Sequence, residues 1–134
     1  MTADDIIAAA RKHIGTPFRH QGRVPGRGLD CVGLLIVVAQ ELGIEYQDAT
    51  GYSSRPDGTL LSKMEAQGAL IKIQEPEPGC VLVMRFANEP QHVALCTGST
   101  LIHSYAQVGK VTEHRFADVW RARVVAVFRF KGLE

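Results

Sequence analysis

The spacing of apolar residues changes once along the chain, from helical in the first half to alternating in the second. Ile6, Ile7, Ala10 and Ile14 recur at intervals that line one helix face. Thr2 is placed to cap that helix, with Asp4 and Asp5 at its positive end. Gly15 stops it and Pro17 keeps it stopped. "CVGLLIVVAQELG", beginning at Cys31, is apolar nearly all round until Gln40. Its β-branched residues would suit a strand, but its length and the closing Gly43 predict a buried central helix from near Asp30 to near Leu42. Between the two helices, residues 15–29 hold four Gly and two Pro and read as an ordered loop. Residues 44–58 are rich in turn formers, "SSRPDG" being the clearest signal. Thr59 to Gln67 fits a short helix closed by Gly68.

After Gly68 the period becomes two. "ALIKI" predicts a short strand, and "EPEPG" a turn, because its prolines offer no ladder donors. "CVLVMRF", "HVALCTG", "TLIHSYA" and "VVAVFRF" predict strands, and "KVTEHRF" a weaker fifth. Helices first and an antiparallel meander after them predict an α+β architecture. The 134 residues suit a single domain, 1–134, with one buried core.

Charge narrows the function classes. Fifteen Lys and Arg nearly cancel fourteen Asp and Glu, unlike the strong positive field of a nucleic-acid binder. The longest apolar run, Val32 to Ala39, is far too short to span a bilayer. Neither nucleic acid nor membrane is expected as a partner. The opening "MTADD" is acidic, unlike a secretory leader, so a cytoplasmic protein is expected. Three Cys at scattered spacing suggest reduced thiols rather than a disulfide framework.

The candidate chemistry centres on Cys31. A helix start stabilises a thiolate through unpaired N–H groups and the dipole. A thiol nucleophile also needs an imidazole to take its proton and a third group to orient that imidazole. Of five His, His13, His20 and His114 read as solvated, whereas His92 and His103 lie in apolar strand candidates. A two-residue turn at Thr97 and Gly98 would set Cys96 opposite Ser99 and His92 opposite His103, with Cβ atoms roughly 5 Å apart. A slip of one residue would separate the two rings unless a bulge restored them. Two other readings stay open: Cys31 as a packed small hydrophobe, and zinc on Cys31, His92 and His103, although no closely spaced ligand pair supports it. Cys80 and Cys96 read as core thiols. Arg19, His20 and Arg23, in the loop before Cys31, are placed to meet a substrate, and Arg binds carboxylates well.

"GTPFRHQGRVPGRGLDCVGLL", "PGCVLVMRF", "QHVALCTGSTLIHSYA" and the final "VVAVFRF" together resemble the NlpC/P60 family of papain-like cysteine peptidases, from about Ile14 onward. The "RHQGR…PGRGLDCVGLL" wording and "YSSRPDG" are most similar to the branch encoded by phages and gene transfer agents, whose members are associated with the tail. The resemblance implies a papain-like fold in which the Cys-bearing central helix packs on an antiparallel sheet. It implies a peptidoglycan stem-peptide hydrolase that cuts between D-γ-glutamyl and diaminopimelate or lysine. Cys31 then matches the nucleophile, His92 the base and His103 the orienting residue. Phe18, Arg19, His20, Arg23 and Asp30 fall on the substrate side. No metal or organic cofactor is implied; the implied partners are stem peptides and phage tail proteins. The sequence departs from the common pattern at Phe18, where many members have Tyr, at Val32 for Ser, and at Cys80 for Asp. Phe18 has no hydroxyl, which leaves the Cys31 backbone N–H to face the oxyanion. A structural tail protein that has lost turnover, and a thiol amidase or acyltransferase, are the alternative functions.

Overall fold

Thr2 closes the start of the first helix as its side chain allows. In a computed structural model that describes residues 1–48 and 57–134, α1 spans Ala3–Arg11. The Thr2 hydroxyl accepts from the Asp5 N–H at 3.3 Å, and the Asp5 carboxylate accepts from the Thr2 N–H at 2.8 Å, a reciprocal cap that satisfies two end donors. The helix ends before Ile14, which is 45% exposed. His13, expected in solvent, is buried, with its Nε2 2.7 Å from Glu41 Oε1. The chain turns inward after Arg11, and His13 ties that turn to the end of the central helix.

Residues 15–29 are ordered, and they contain two short strands that the Gly and Pro content concealed. β1, Arg23–Val24, pairs antiparallel with β2, Gly28–Leu29. The central helix follows as α2, Cys31–Glu41, with Asp30 as its N-cap. Gly33 permits the loop to lie on the first turn of α2: a Cβ there would overlap the Gly22 carbonyl oxygen. α3, Leu60–Glu65, is the predicted short helix. The "SSRPDG" turn reading falls, apart from its last two residues, outside the described residues.

Five further strands and a one-turn helix precede the last strand. They are β3 Leu70–Ile73, β4 Val81–Phe86, β5 Glu89–Cys96, β6 Thr100–Tyr105, β7 Lys110–Arg115 and α4 Asp118–Arg121; β8 is Val124–Phe130. β4 to β7 form the expected meander. The sheet order β3-β8-β4-β5-β6-β7 corrects that expectation at its other end, where β8 returns to pair with β4 and carries β3 at the edge. β8 places Ala126, Phe128 and Phe130 in one apolar cluster and Val127 in another. A strand apolar on both faces belongs inside a doubly covered sheet.

One face of the sheet carries Val81, Val83, Val93, Leu95 and Ile102 against α1 and α2. The other carries Cys80, Leu82, Met84, Ala94 and Leu101 under Phe116 and Trp120. Burial of each of the larger side chains contributes about 1.5–3 kcal/mol. None of the described helices is long and apolar enough to cross a membrane.

The hairpin register differs from the expected one. Cys96 lies opposite Leu101 rather than Ser99, and Leu95 opposite Ile102. The connection is a longer turn, in which the Thr97 N–H donates to the Thr100 carbonyl at 3.0 Å and the Thr100 N–H to Thr97 Oγ1 at 3.0 Å. The offset is two residues, so every side chain keeps its face, and His92 and His103 remain on a common side. A bulge also falls beside His92: Met84 lies opposite His92 but Arg85 opposite Pro90, leaving Gln91 unpaired. Bulges of this kind re-aim a neighbouring side chain.

Candidate active site

A cavity of about 340 Å³ opens at the N-terminus of α2. Its lining includes Cys31, His92, Phe18, His20 and Asp30, so five of the residues marked by the sequence meet there. His103 sits directly behind His92. Arg19 and Arg23 do not line the cavity.

Asp30 builds the N-terminal end of α2. Its carboxylate is buried and accepts from the Gly33 N–H at 2.7 Å, the Gln21 N–H at 2.9 Å and Arg23 Nη1 at 3.0 Å. Arg23 also donates from Nε to Asp48 at 3.1 Å. The guanidinium therefore clamps the loop to the helix start.

The same carboxylate changes the chemistry of its neighbour. Burial pushes the Cys31 thiol up to about 11, and the Asp30 charge adds to the rise. Hydrogen bonds from the Val93 and Val32 backbone oppose it. The expectation of a thiolate stabilised by the helix start is thus corrected: burial disfavours the thiolate first, and the Asp30 carboxylate at the positive end of the helix adds to it. The resting thiol is protonated.

His92 is buried, with Nε2 2.6 Å from His103 Nδ1. Burial holds His92 well below the usual imidazole range, and His103, Arg123 and His114 disfavour a further positive charge. His103 is fully buried and is pushed down to about 3, by burial first and His114 second. Both rings are neutral at pH 7. Aromatic rings enclose the pair: Phe86 stacks on His92 at 5.2 Å, Tyr105 on His103 at 5.4 Å, and Trp120 meets His103 edge-on at 5.3 Å.

The sequence reading missed His114. It is half-buried rather than solvated, and its Nε2 lies 2.8 Å from His103 Nε2. The signal was the alternation in "KVTEHRF": Thr112 pairs with His103, and period two puts His114 on the same face. Tyr46 was missed too. It lines the cavity and its hydroxyl donates to Met64 Sδ at 3.4 Å, while burial pushes its phenol up.

Cys80 and Cys96 are buried, unbridged and outside the cavity lining. A hydrogen bond between the two thiols raises Cys80 and lowers Cys96. Among the described residues, no group of three or more His, Cys, Asp or Glu is placed to hold a metal ion.

A helix that carries a thiol at its start and packs on an antiparallel sheet is consistent with a papain-like class of fold. Within that class the chain belongs to the NlpC/P60 family, whose model matches residues 15–129. It is similar to the gamma-DL-glutamyl hydrolase of Bacillus subtilis (strain 168), at 28% identity over 98% of this chain. The chain spans only 30% of that relative's length. Among solved structures it resembles the NlpC/p60 domain of the peptidoglycan hydrolase SagA, at 24% identity and a TM-score of 0.66, covering 95% of this chain and 97% of that one. An NlpC/P60 family protein from Bacillus cereus ATCC 10987 matches at 20% identity and a TM-score of 0.72, covering 97% of this chain and 40% of that one. At these identities the solved structures show a common fold.

Proposed function

We propose that the protein is a cysteine hydrolase that cuts peptidoglycan stem peptides between D-γ-glutamyl and the diamino acid. The observation that carries this reading is the joint presence of Cys31 and His92 in one cavity, with His92 held by His103 at 2.6 Å. The related gamma-DL-glutamyl hydrolase and peptidoglycan hydrolase support the choice of substrate.

In this mechanism Cys31 Sγ attacks the γ-glutamyl carbonyl carbon while His92 Nδ1 takes the thiol proton. Proton transfer accompanies attack because the resting thiol and imidazole are both neutral. The oxyanion faces the Cys31 backbone N–H at the first position of α2, where main-chain donors lack helical partners. The C–N bond then breaks and His92 returns the proton to the departing amine. Water, activated by the same ring, releases the acyl group from sulfur. His103 fixes the ring plane of His92. Phe18 and His20 wall the cavity on the loop side, and Lys63 of α3 lines the other side, where its ammonium can meet a substrate carboxylate.

The test is digestion of purified muropeptides followed by mass spectrometry. The reading expects products cut at the γ-glutamyl bond. Intact muropeptides would indicate a structural protein, and transfer to an added amine would indicate an acyltransferase. The narrower role, in a phage or phage-like tail, rests on the wording of the segment before Cys31. Detection of the chain in purified particles tests it.

A further inference from the structure

The imidazole chain continues past the pair assigned above. His103 Nε2 lies 2.8 Å from His114 Nε2, and His114 Nδ1 lies 3.0 Å from the Arg115 carbonyl oxygen. A carbonyl only accepts, so His114 Nδ1 carries a proton. In its neutral form an imidazole has one N–H, so with His114 neutral its Nε2 is an acceptor and His103 donates to it from Nε2. His103 Nδ1 is then bare and accepts from the His92 Nε2–H across 2.6 Å. His92 is left with an unprotonated Nδ1, the form that can take a proton from the thiol.

The geometry points to His114 as a positioning residue that fixes the tautomer of His92 through His103, with the Arg115 carbonyl as the fixed end of the relay. The inference rests on the hydrolase reading only where turnover is measured. Burial keeps the two inner rings neutral, as the polarity argument requires. Trp120 packs on His114 at 4.9 Å and on His103 at 5.3 Å. This aromatic packing restrains both rings, so the order of donors and acceptors persists. Without the far acceptor, the inner pair could reverse and place a proton on His92 Nδ1, where the ring could no longer act as a base.

The relay is tested by two-bond 1H–15N correlation spectra of histidine-labelled protein at neutral pH, compared with kcat and KM on a stem peptide. Wild type should show His92 protonated at Nε2 and bare at Nδ1. His114→Phe removes the acceptor but keeps an aromatic ring for Trp120. It should give a mixture of His92 tautomers and lower kcat on the order of 10–100-fold, the cost found when a partner that orients a metal-ligating His is lost. KM should hold, because His114 does not line the cavity. His114→Gln, which offers an amide oxygen to His103, should restore the tautomer and most of kcat. A wild-type spectrum with His92 protonated at Nδ1 would overturn the inference. So would a folded His114→Phe protein with an unchanged His92 tautomer and full kcat. If wild type leaves stem peptides intact, the hydrolase reading fails, and the wild-type and His114→Phe spectra still decide the relay.

Discussion

Asp30 joins the stability of the site to the chemistry of its thiol, and its replacement should separate the two. The carboxylate caps α2 through Gly33, holds the Gln21 N–H and pairs with Arg23. Loss of an N-cap costs about 1 kcal/mol. Removing one partner of a buried pair costs about 3–5 kcal/mol, less here because Asp48 remains on the Arg23 guanidinium. Asp30→Ala should therefore destabilise the protein by about 3 kcal/mol, a fall in Tm on the order of 10 °C for a chain of this size. Asp30→Asn keeps an oxygen for the Gly33 N–H but loses the charge and the oxygen that accepts from the Gln21 N–H, so its Tm should fall by less than that of Asp30→Ala. The same variant should lower the Cys31 pKa from about 11 while leaving it above the ordinary 9.0, because burial is the larger cause of the rise. Thermal melts followed by circular dichroism give the first quantity. Alkylation rates of Cys31 across pH, read by peptide mapping, give the second. An Asp30→Ala protein that melts within about 2 °C of wild type, or an Asp30→Asn thiol that titrates no lower than the native one, would refute the reasoning.

Cys31, the one thiol that reaches the cavity, should be alkylated before the fully buried Cys80 and Cys96, increasingly fast toward pH 11; modification of Cys96 first would mean that its lowered pKa outweighs burial. His103→Ala should leave weak hydrolysis, His103→Asn should recover part of it because its amide oxygen accepts from His92, and Cys31→Ala should leave none, since an orienting residue costs up to roughly 10⁴-fold and the nucleophile more; kcat on a stem peptide measures all three. Stability should fall as pH drops below about 6.5, because the unfolded chain then binds protons that folded His92 and His103 refuse; urea titrations across that range should show the loss, and His103→Asn should reduce it while His92 keeps part of it. Gly33→Ala should drive the Gly22 carbonyl off α2 and lower Tm by at least as much as Asp30→Ala, which a melt will show.

The parts of the fold and site that could be read from the sequence were those set by local chemistry. Thr2 with Asp5, and Asp30 at the head of an apolar run, mark helix starts because capping needs only neighbouring residues. Period two marked the strands that became β4 to β8, and it kept His92 and His103 on one face even though the turn between them is longer than expected. The place of β8 beside β4 depends on which sheet edge needs covering, which no local pattern encodes. His13 and His114 were misread for the same reason. Each lies among polar residues in sequence, and each is held in the fold by a partner that local pattern does not show, Glu41 from the central helix for His13 and His103 from the neighbouring strand for His114. The direction of the Cys31 shift was misread because burial by the folded chain, which no local pattern shows, disfavours the thiolate more than the helix start favours it, and the Asp30 charge adds to the rise.

The most direct measurement of the central claim is the intact mass of the protein quenched during turnover of a stem peptide. Attack by Cys31 predicts a transient species heavier by the γ-glutamyl acyl fragment, with the added mass mapping to the peptide that contains Cys31 and absent from Cys31→Ala. Turnover that proceeds without any adduct, and that survives in folded Cys31→Ala, would contradict it.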